Sequence, residues 1–306
     1  MSLLYLLEGI RTPFLDKLMG LVTNLGGETA FIAVAIIVFW CINKKCGYYM
    51  LTVGFAGTIF NQFLKLWFRI PRPWVKDPNF TIVESARADA GGYSFPSGHT
   101  VTVFATLGAP ARYTKKTWLR IVFIILLLLV PFSRMYVGVH TPMDVGVSFI
   151  IGTLFVFGFY PIFKDMDEKP GRMYILFAVF ILIAAAFVIF VEFYNFPADI
   201  DEGNYSEGVK NAYMILFASI ALLITFHLDR KYIHFETDAV WWAQIIKLAV
   251  GAGIALGIKS GLKAPLLALF NGHGIAHGIR YFLMILFCGV VWPLTFKFFA
   301  KLGRKN

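Results

Sequence analysis

Three short clusters of polar side chains interrupt an otherwise apolar chain. They are Lys65-Leu-Trp-Phe-Arg-Ile-Pro-Arg72-Pro73, Tyr93-Ser-Phe-Pro96-Ser97-Gly98-His99-Thr100 and Ser133-Arg134-Met-Tyr-Val-Gly-Val-His140-Thr-Pro-Met-Asp144. Lys65, Arg72 and Arg134 come from separate segments, and cations that converge from separate segments imply an anion. Ammonium and guanidinium groups offer charge-assisted bonds that the oxygens of a phosphate accept. Each cluster also has an ordinary counterpart. Cations at helix ends usually snorkel to headgroups, and Pro-Ser-Gly is a turn with Ser97 near a helix N-cap. His140 and Asp144, four apart, form a local helix pair, and a single interfacial histidine is more often packed than reactive. The occurrence of all three clusters in one chain favours a site.

The elements that must position them follow from bulk composition. Of 306 residues, 58% are apolar and only 15% charged, with a mean hydropathy of +0.70. Such a chain cannot cover a soluble surface. Apolar runs recur at roughly 17 to 25 residues, the length that crosses about 30 Å of hydrocarbon as helix. The runs are continuous, as in Ile121 to Val130, so helices and not a barrel satisfy the backbone. The reading is all-α, a polytopic transmembrane helical bundle. Nine spans are predicted, near 29–43, 47–68, 97–112, 118–137, 141–163, 173–194, 210–228, 243–259 and 279–300; the eighth is the weakest, being rich in Gly and Ala and carrying Lys247. Residues 3–22 form an apolar stripe interrupted by Glu8, Arg11, Asp16 and Lys17, with a break at Pro13. That pattern predicts a helix lying in the interface over 1–24. Met1 to Leu7 lacks the positive stretch of a removable signal peptide.

Basic residues follow the odd-numbered spans: Lys44 and Lys45, then Arg112 to Arg120, Lys164 to Arg172, Arg230 and Lys231, and finally Lys301, Arg304 and Lys305. With nine spans these share one side, which the positive-inside rule makes cytoplasmic. The same loops account for the net charge of +10, so no nucleic-acid partner is expected. The three polar clusters then fall on the opposite, outward face.

The clusters read as K-x6-RP, PSGH and SR-x5-H-x3-D, and together they resemble the signature of the type 2 phosphatidic acid phosphatase superfamily. That family holds lipid phosphate phosphatases, undecaprenyl-diphosphate phosphatases and the soluble vanadium haloperoxidases. The resemblance covers about 25–163, a phosphatase core of about five spans. Residues 164–306 have no counterpart in it and are read as additional transmembrane helices. It implies that His140 attacks phosphorus to give a phosphohistidine, that Asp144 orients it, and that His99 serves the leaving group. Lys65, Arg72 and Arg134 would hold the phosphate oxygens, with the Ser97 hydroxyl and the backbone N–H groups of Ser97, Gly98 and His99. Gly98 would let the backbone approach closely. No metal or other cofactor is needed in this scheme.

The implied substrate is a lipid phosphate or diphosphate in a bacterial cell membrane. Undecaprenyl diphosphate comes before phosphatidic acid, phosphatidylglycerol phosphate and sphingoid phosphates. An anionic-lipid flippase and a lipid phosphotransferase are the rival readings; two histidines with an aspartate exceed what anion transport needs. The loop from Pro73 to Tyr93 is either a lid or an ordinary covering loop. His273 and His277 sit in a glycine-rich segment without a third ligand, and Cys41, Cys46 and Cys288 have no metal or redox spacing, so free thiols are expected.

Overall fold

The computed structural model describes residues 1–302 and is 78% helical, with no strand among the described residues. The chain is an all-α membrane protein. Its main helices are α1 (Ser2–Gly9), α2 (Pro13–Asn24), α3 (Glu28–Ile37), α4 (Lys44–Phe68), α5 (Gly98–Val103), α6 (Thr117–Tyr136), α7 (Pro142–Lys164), α8 (Gly171–Phe193), α9 (Glu202–Leu228), α10 (Trp241–Gly261) and α11 (Ile275–Leu286). Large apolar side chains stand exposed on many of them, Leu154 at 64%, Leu182 at 69% and Trp241 at 75%. Water does not tolerate such faces; lipid does.

The span count differs from nine. Six described helices are long and apolar enough to cross a membrane: α6, α7, α8, Glu202–Ile233, Trp241–Leu269 and Ile275–Lys301. A seventh results if α2 and Glu28–Ile42, bent by 52°, form one broken span. The weak eighth run is among the six. α4 is long enough but carries Asn61, Gln62 and Lys65 in its final turns. The helix opening at Gly98 ends at Tyr113 after a wider turn at Phe104–Gly108, and at 1.5 Å per residue it reaches about 24 Å. Both depart from an apolar span where they carry the polar clusters.

The described chain forms two compact units. One comprises 1–34, 49–161 and 195–208; the other comprises 35–48, 162–194 and 209 onward. In the first, α2 lies along α6. Thr12 caps α2 by accepting from Leu15 N, with Pro13 at the first helical position, where a missing N–H costs nothing. Two of the charged residues that interrupt the stripe, Arg11 and Asp16, turn toward α6. Tyr136 Oη donates to Asp16 at 2.8 Å, and Arg11 Nε donates to the Tyr136 carbonyl at 3.0 Å. Leu6, Phe14 and Leu21 stand out at 69%, 75% and 64% exposure.

In the second unit the basic loops carry their own partners. Lys44 pairs with Asp229 at 2.9 Å, Lys45 with Asp167, and Arg172 with Asp165 at 3.5 Å. Loops that follow the first, fifth and seventh predicted spans thus meet at one end. Arg304 and Lys305 lie outside the described residues.

Candidate active site

His140 is the one residue between a helix stop and a helix start. α6 closes with two reversed bonds, Gly138 N to the Met135 carbonyl at 3.1 Å and Val139 N to the Arg134 carbonyl at 3.2 Å. This is the pairing of a Schellman motif with glycine just past the cap. Gly138 has φ +86, and a Cβ there would meet Arg11 and Phe80, so any other residue is strained. α7 begins at Pro142, and the Thr141 and Asp144 ends close on each other. Thr141 N donates to Asp144 Oδ2 at 2.7 Å, and Asp144 N donates to Thr141 Oγ1 at 3.3 Å. That is a capping box with aspartate at its acidic position.

The same Asp144 oxygen serves the histidine. His140 Nδ1 lies 3.5 Å from Oδ2, with both side chains buried, and Ser94 Oγ donates to Oδ2 at 2.5 Å. Arg72 Nη1 lies 2.9 Å from His140 Nε2. A guanidinium only donates, so Nε2 must be the acceptor and the ring proton belongs on Nδ1, facing Asp144. The nucleophilic lone pair is then on Nε2. Burial, followed by the charges of Arg72, Arg134 and Lys65, pushes the His140 imidazole well below its usual value, which keeps it neutral at physiological pH.

Arg72 is held rigidly. Nε donates to the Gly92 carbonyl at 2.9 Å, Nη2 to the Gly91 carbonyl at 2.9 Å, and Nη1 to the Val139 carbonyl at 3.0 Å. Burial lowers this guanidinium to about 10, mainly against the pull of Asp144, so it stays a cation. Trp74 lies against it, 6.0 Å from ring centre to Cζ. Arg134 is fully buried and donates through Nη1 to Thr23 Oγ1 at 2.8 Å. Its Nε and Nη2 have no hydrogen-bond partner. Buried donors without acceptors cost about 1–3 kcal/mol each. Lys65 is close enough to Arg72, Arg134 and Asp144 to feel their charges, and His99 lies in the field of the three cations.

The second cluster supplies a helix start. Ser97 is the N-cap of α5; its Oγ accepts from Thr100 N at 3.4 Å and from Thr100 Oγ1 at 2.9 Å. The Ser97 N–H, expected to face an anion, donates instead to the Asp144 carbonyl at 3.2 Å. Gly98 and His99 therefore open the helix, where backbone N–H groups lack intrahelical acceptors. A Cβ on Gly98 would meet only Asn61 Oδ1, at 3.5 Å. That is an ordinary contact, so nothing within the protein demands glycine there. Asn61, buried one turn before Lys65 on α4, donates to the Pro96 carbonyl at 3.1 Å and so ties the first cluster to the second.

All eight residues singled out from the sequence come together in one unit. Four further residues support them: Ser94, Thr141, Asn61 and Thr23. Thr141 had a signal, Thr-x-x-Asp ahead of an apolar run; the others act across distances of 35 to 111 residues. The Pro73–Tyr93 segment is no free lid. Phe80, Ile82, Ala86 and Ala90 are buried, and Val83 N donates to the Val137 carbonyl at 3.1 Å. Elsewhere, His273 faces Glu192 at 3.5 Å while His277 faces Arg280 at 3.0 Å, so the two imidazoles have separate partners. The three cysteines are unpaired.

The chain is similar to known proteins over the part that holds this site. The family model of the PAP2 superfamily matches residues 45–168, and one described as "PAP2 superfamily phosphatase, transmembrane extension" matches 214–305. Undecaprenyl-diphosphatase BcrC of Bacillus subtilis (strain 168) is 34% identical over 171 residues, covering 52% of this chain and 82% of the relative. Phosphatidylglycerophosphatase B of the same organism is 30% identical over 176 residues, covering 53% and 80%. The crystal structure of Aquifex aeolicus LpxE aligns with 51% of this chain and 91% of its own, at a TM-score of 0.45 and 24% identity. The chain belongs to the PAP2 superfamily.

Proposed function

We propose that this protein is a lipid phosphate or diphosphate phosphatase working through a phosphohistidine at His140. The observation that carries the reading is Arg134. A fully buried guanidinium with two donors that no protein group accepts, in the field of Arg72, suits an anion. The neighbouring imidazole makes that anion a reactant.

In the proposed reaction Nε2 of His140 attacks phosphorus as the bond to the leaving oxygen breaks. His99, which burial and the charges of Arg134, Lys65 and Arg72 otherwise hold low, takes a proton once the phosphate offsets those cations, and it gives that proton to the leaving oxygen. The imidazolium so formed keeps its Nδ1 proton toward Asp144, whose orientation Ser94 and Thr141 hold. Water then attacks phosphorus, the N–P bond breaks, and His99 takes the water's proton. Arg134, Lys65, the remaining N–H of Arg72 and the start of α5 stabilise the equatorial oxygens. The names of the relatives support a lipid tail on the substrate. Undecaprenyl diphosphate is the first candidate, ahead of phosphatidylglycerol phosphate and phosphatidic acid, in a bacterial membrane with the site facing outward.

The test is purified protein in detergent with a panel of these lipids, EDTA present. Phosphate release by the wild type and its loss in His140→Ala are expected. Full activity in His140→Ala, or a wild type inert toward every lipid, overturns the reading.

A further inference from the structure

Residues 195–208 lie in neither matched family region, yet they belong to the same compact unit as the site. We infer that Asn204, from this segment, is a positioning residue for Arg72, so that a part of the chain outside the phosphatase core sets the geometry of its phosphate-binding arginine. The inference rests on the phosphatase reading and deepens it.

The chain of contacts is short. Two of the carbonyls that hold the Arg72 guanidinium belong to Gly91 and Gly92. Neither sits in a helix; the carbonyls keep their place only as well as the loop does. Gly92 adopts φ +72, and a Cβ there would run into the Asn204 side chain. The next amide, Tyr93 N, donates to Asn204 Oδ1 at 2.9 Å. Asn204 is 6% exposed, and its own orientation is fixed twice by Asp201, whose Oδ1 accepts from Asn204 N at 2.7 Å and from Nδ2 at 2.9 Å. Asp201 N in turn donates to Tyr93 Oη at 3.1 Å. One aspartate and one asparagine therefore clamp Tyr93 at its amide and its hydroxyl. On the far side of the loop, Ser94 N donates to the Ile70 carbonyl at 2.7 Å, two residues before Arg72.

A buried arginine held by loop carbonyls inherits the position of that loop. An error of about 1 Å in a catalytic group costs on the order of 10²-fold in rate. Removing the Asn204 amide frees the Tyr93 N–H and opens space beside Gly92, and the Gly91 and Gly92 carbonyls lose their register. The cost should fall first on Arg72; Ser94, which holds Asp144 from the same loop, keeps its separate anchor at the Ile70 carbonyl.

That restriction supplies the test. Asn204→Ala is made in the wild-type sequence and in an Arg72→Lys background, and kcat/KM is measured with whichever lipid phosphate the wild type turns over. We expect a loss of roughly 10- to 100-fold in the first and under about threefold in the second, because a lysine cannot use the two carbonyls in the same geometry. Equal losses in both backgrounds, or none in the wild type, overturn the assignment. Should Asn204→Ala fail to fold, as judged by its melting in detergent, Tyr93→Phe removes only the hydroxyl end of the clamp and must show the same dependence on Arg72. A wild type inert toward every lipid phosphate would remove the phosphatase reading itself; an active wild type with a fully active Asn204→Ala removes only the role of Asn204.

Discussion

At the scale of single residues, the site pairs one neutral ring with an excess of positive charge. His140 is held below its ordinary value first by burial and then by Arg72. The folded form therefore stays unprotonated at pH values where a free imidazole, near 6.5, takes its proton. The acid limb of kcat/KM against pH, which reports the free enzyme, is expected below pH 6.5. Replacing Arg72 with Gln removes one repelling charge and should move that limb upward, whatever it does to the height of the curve. The same sign governs stability: the unfolded chain binds this proton first, so the contribution of His140 is lost as pH falls below about 6.5. Ser94 gives a second expectation. Its hydroxyl is one of two groups that fix the Asp144 oxygen, and a hydrogen bond to a carboxylate contributes about 1.5–3 kcal/mol. Ser94→Ala should lower kcat roughly tenfold or more while leaving phosphate inhibition nearly unchanged, measured with orthophosphate as competitor. Gly98→Ala should do the reverse, folding normally and losing affinity, since the added methyl meets only Asn61 within the protein.

At the scale of elements, the join between α6 and α7 was the most legible part of the site. Gly138, Thr141, Pro142 and Asp144 are stop and start signals in the order helix ends require, and His140 stands between them. Gly138→Ala should cost about 1–3 kcal/mol for the left-handed backbone alone, read as a lowered melting temperature in detergent. Steric conflict with Arg11 and Phe80 adds to it. The loop after Arg72 was far less legible. Nothing local marks the carbonyls of Gly91 and Gly92 as arginine ligands, because their partner lies about 20 residues earlier and their support about 110 later. α4 and the helix from Gly98 were read as spans because their apolar content dominates a window average; Asn61, Lys65 and the short reach to Tyr113 change that reading only once their contacts are seen. The N-terminal stripe reads as one amphipathic helix, and two helices, α1 and α2, stand there. That its polar side faces α6 and supplies Thr23 to Arg134 is a tertiary fact with no periodic signature.

At the scale of the whole chain, composition alone separates this protein from soluble folds, and the loops bearing Lys44, Lys45, Asp167 and Asp229 meet at one end as the alternation of basic loops requires. Which end faces the cytoplasm is testable directly. Glu84 has a side chain 73% exposed, so Glu84→Cys, with Cys41, Cys46 and Cys288 replaced, should react with an impermeant maleimide from outside intact cells. Labelling only after lysis would reverse the proposed orientation.

The single-residue joint at His140 also works as a gauge of length. One additional residue between Gly138 and Thr141 would separate the Schellman closure from the capping box, and placed after His140 it would also break the four-residue spacing that sets Asp144 against the ring. Substitution can be graded at such a place, but insertion cannot.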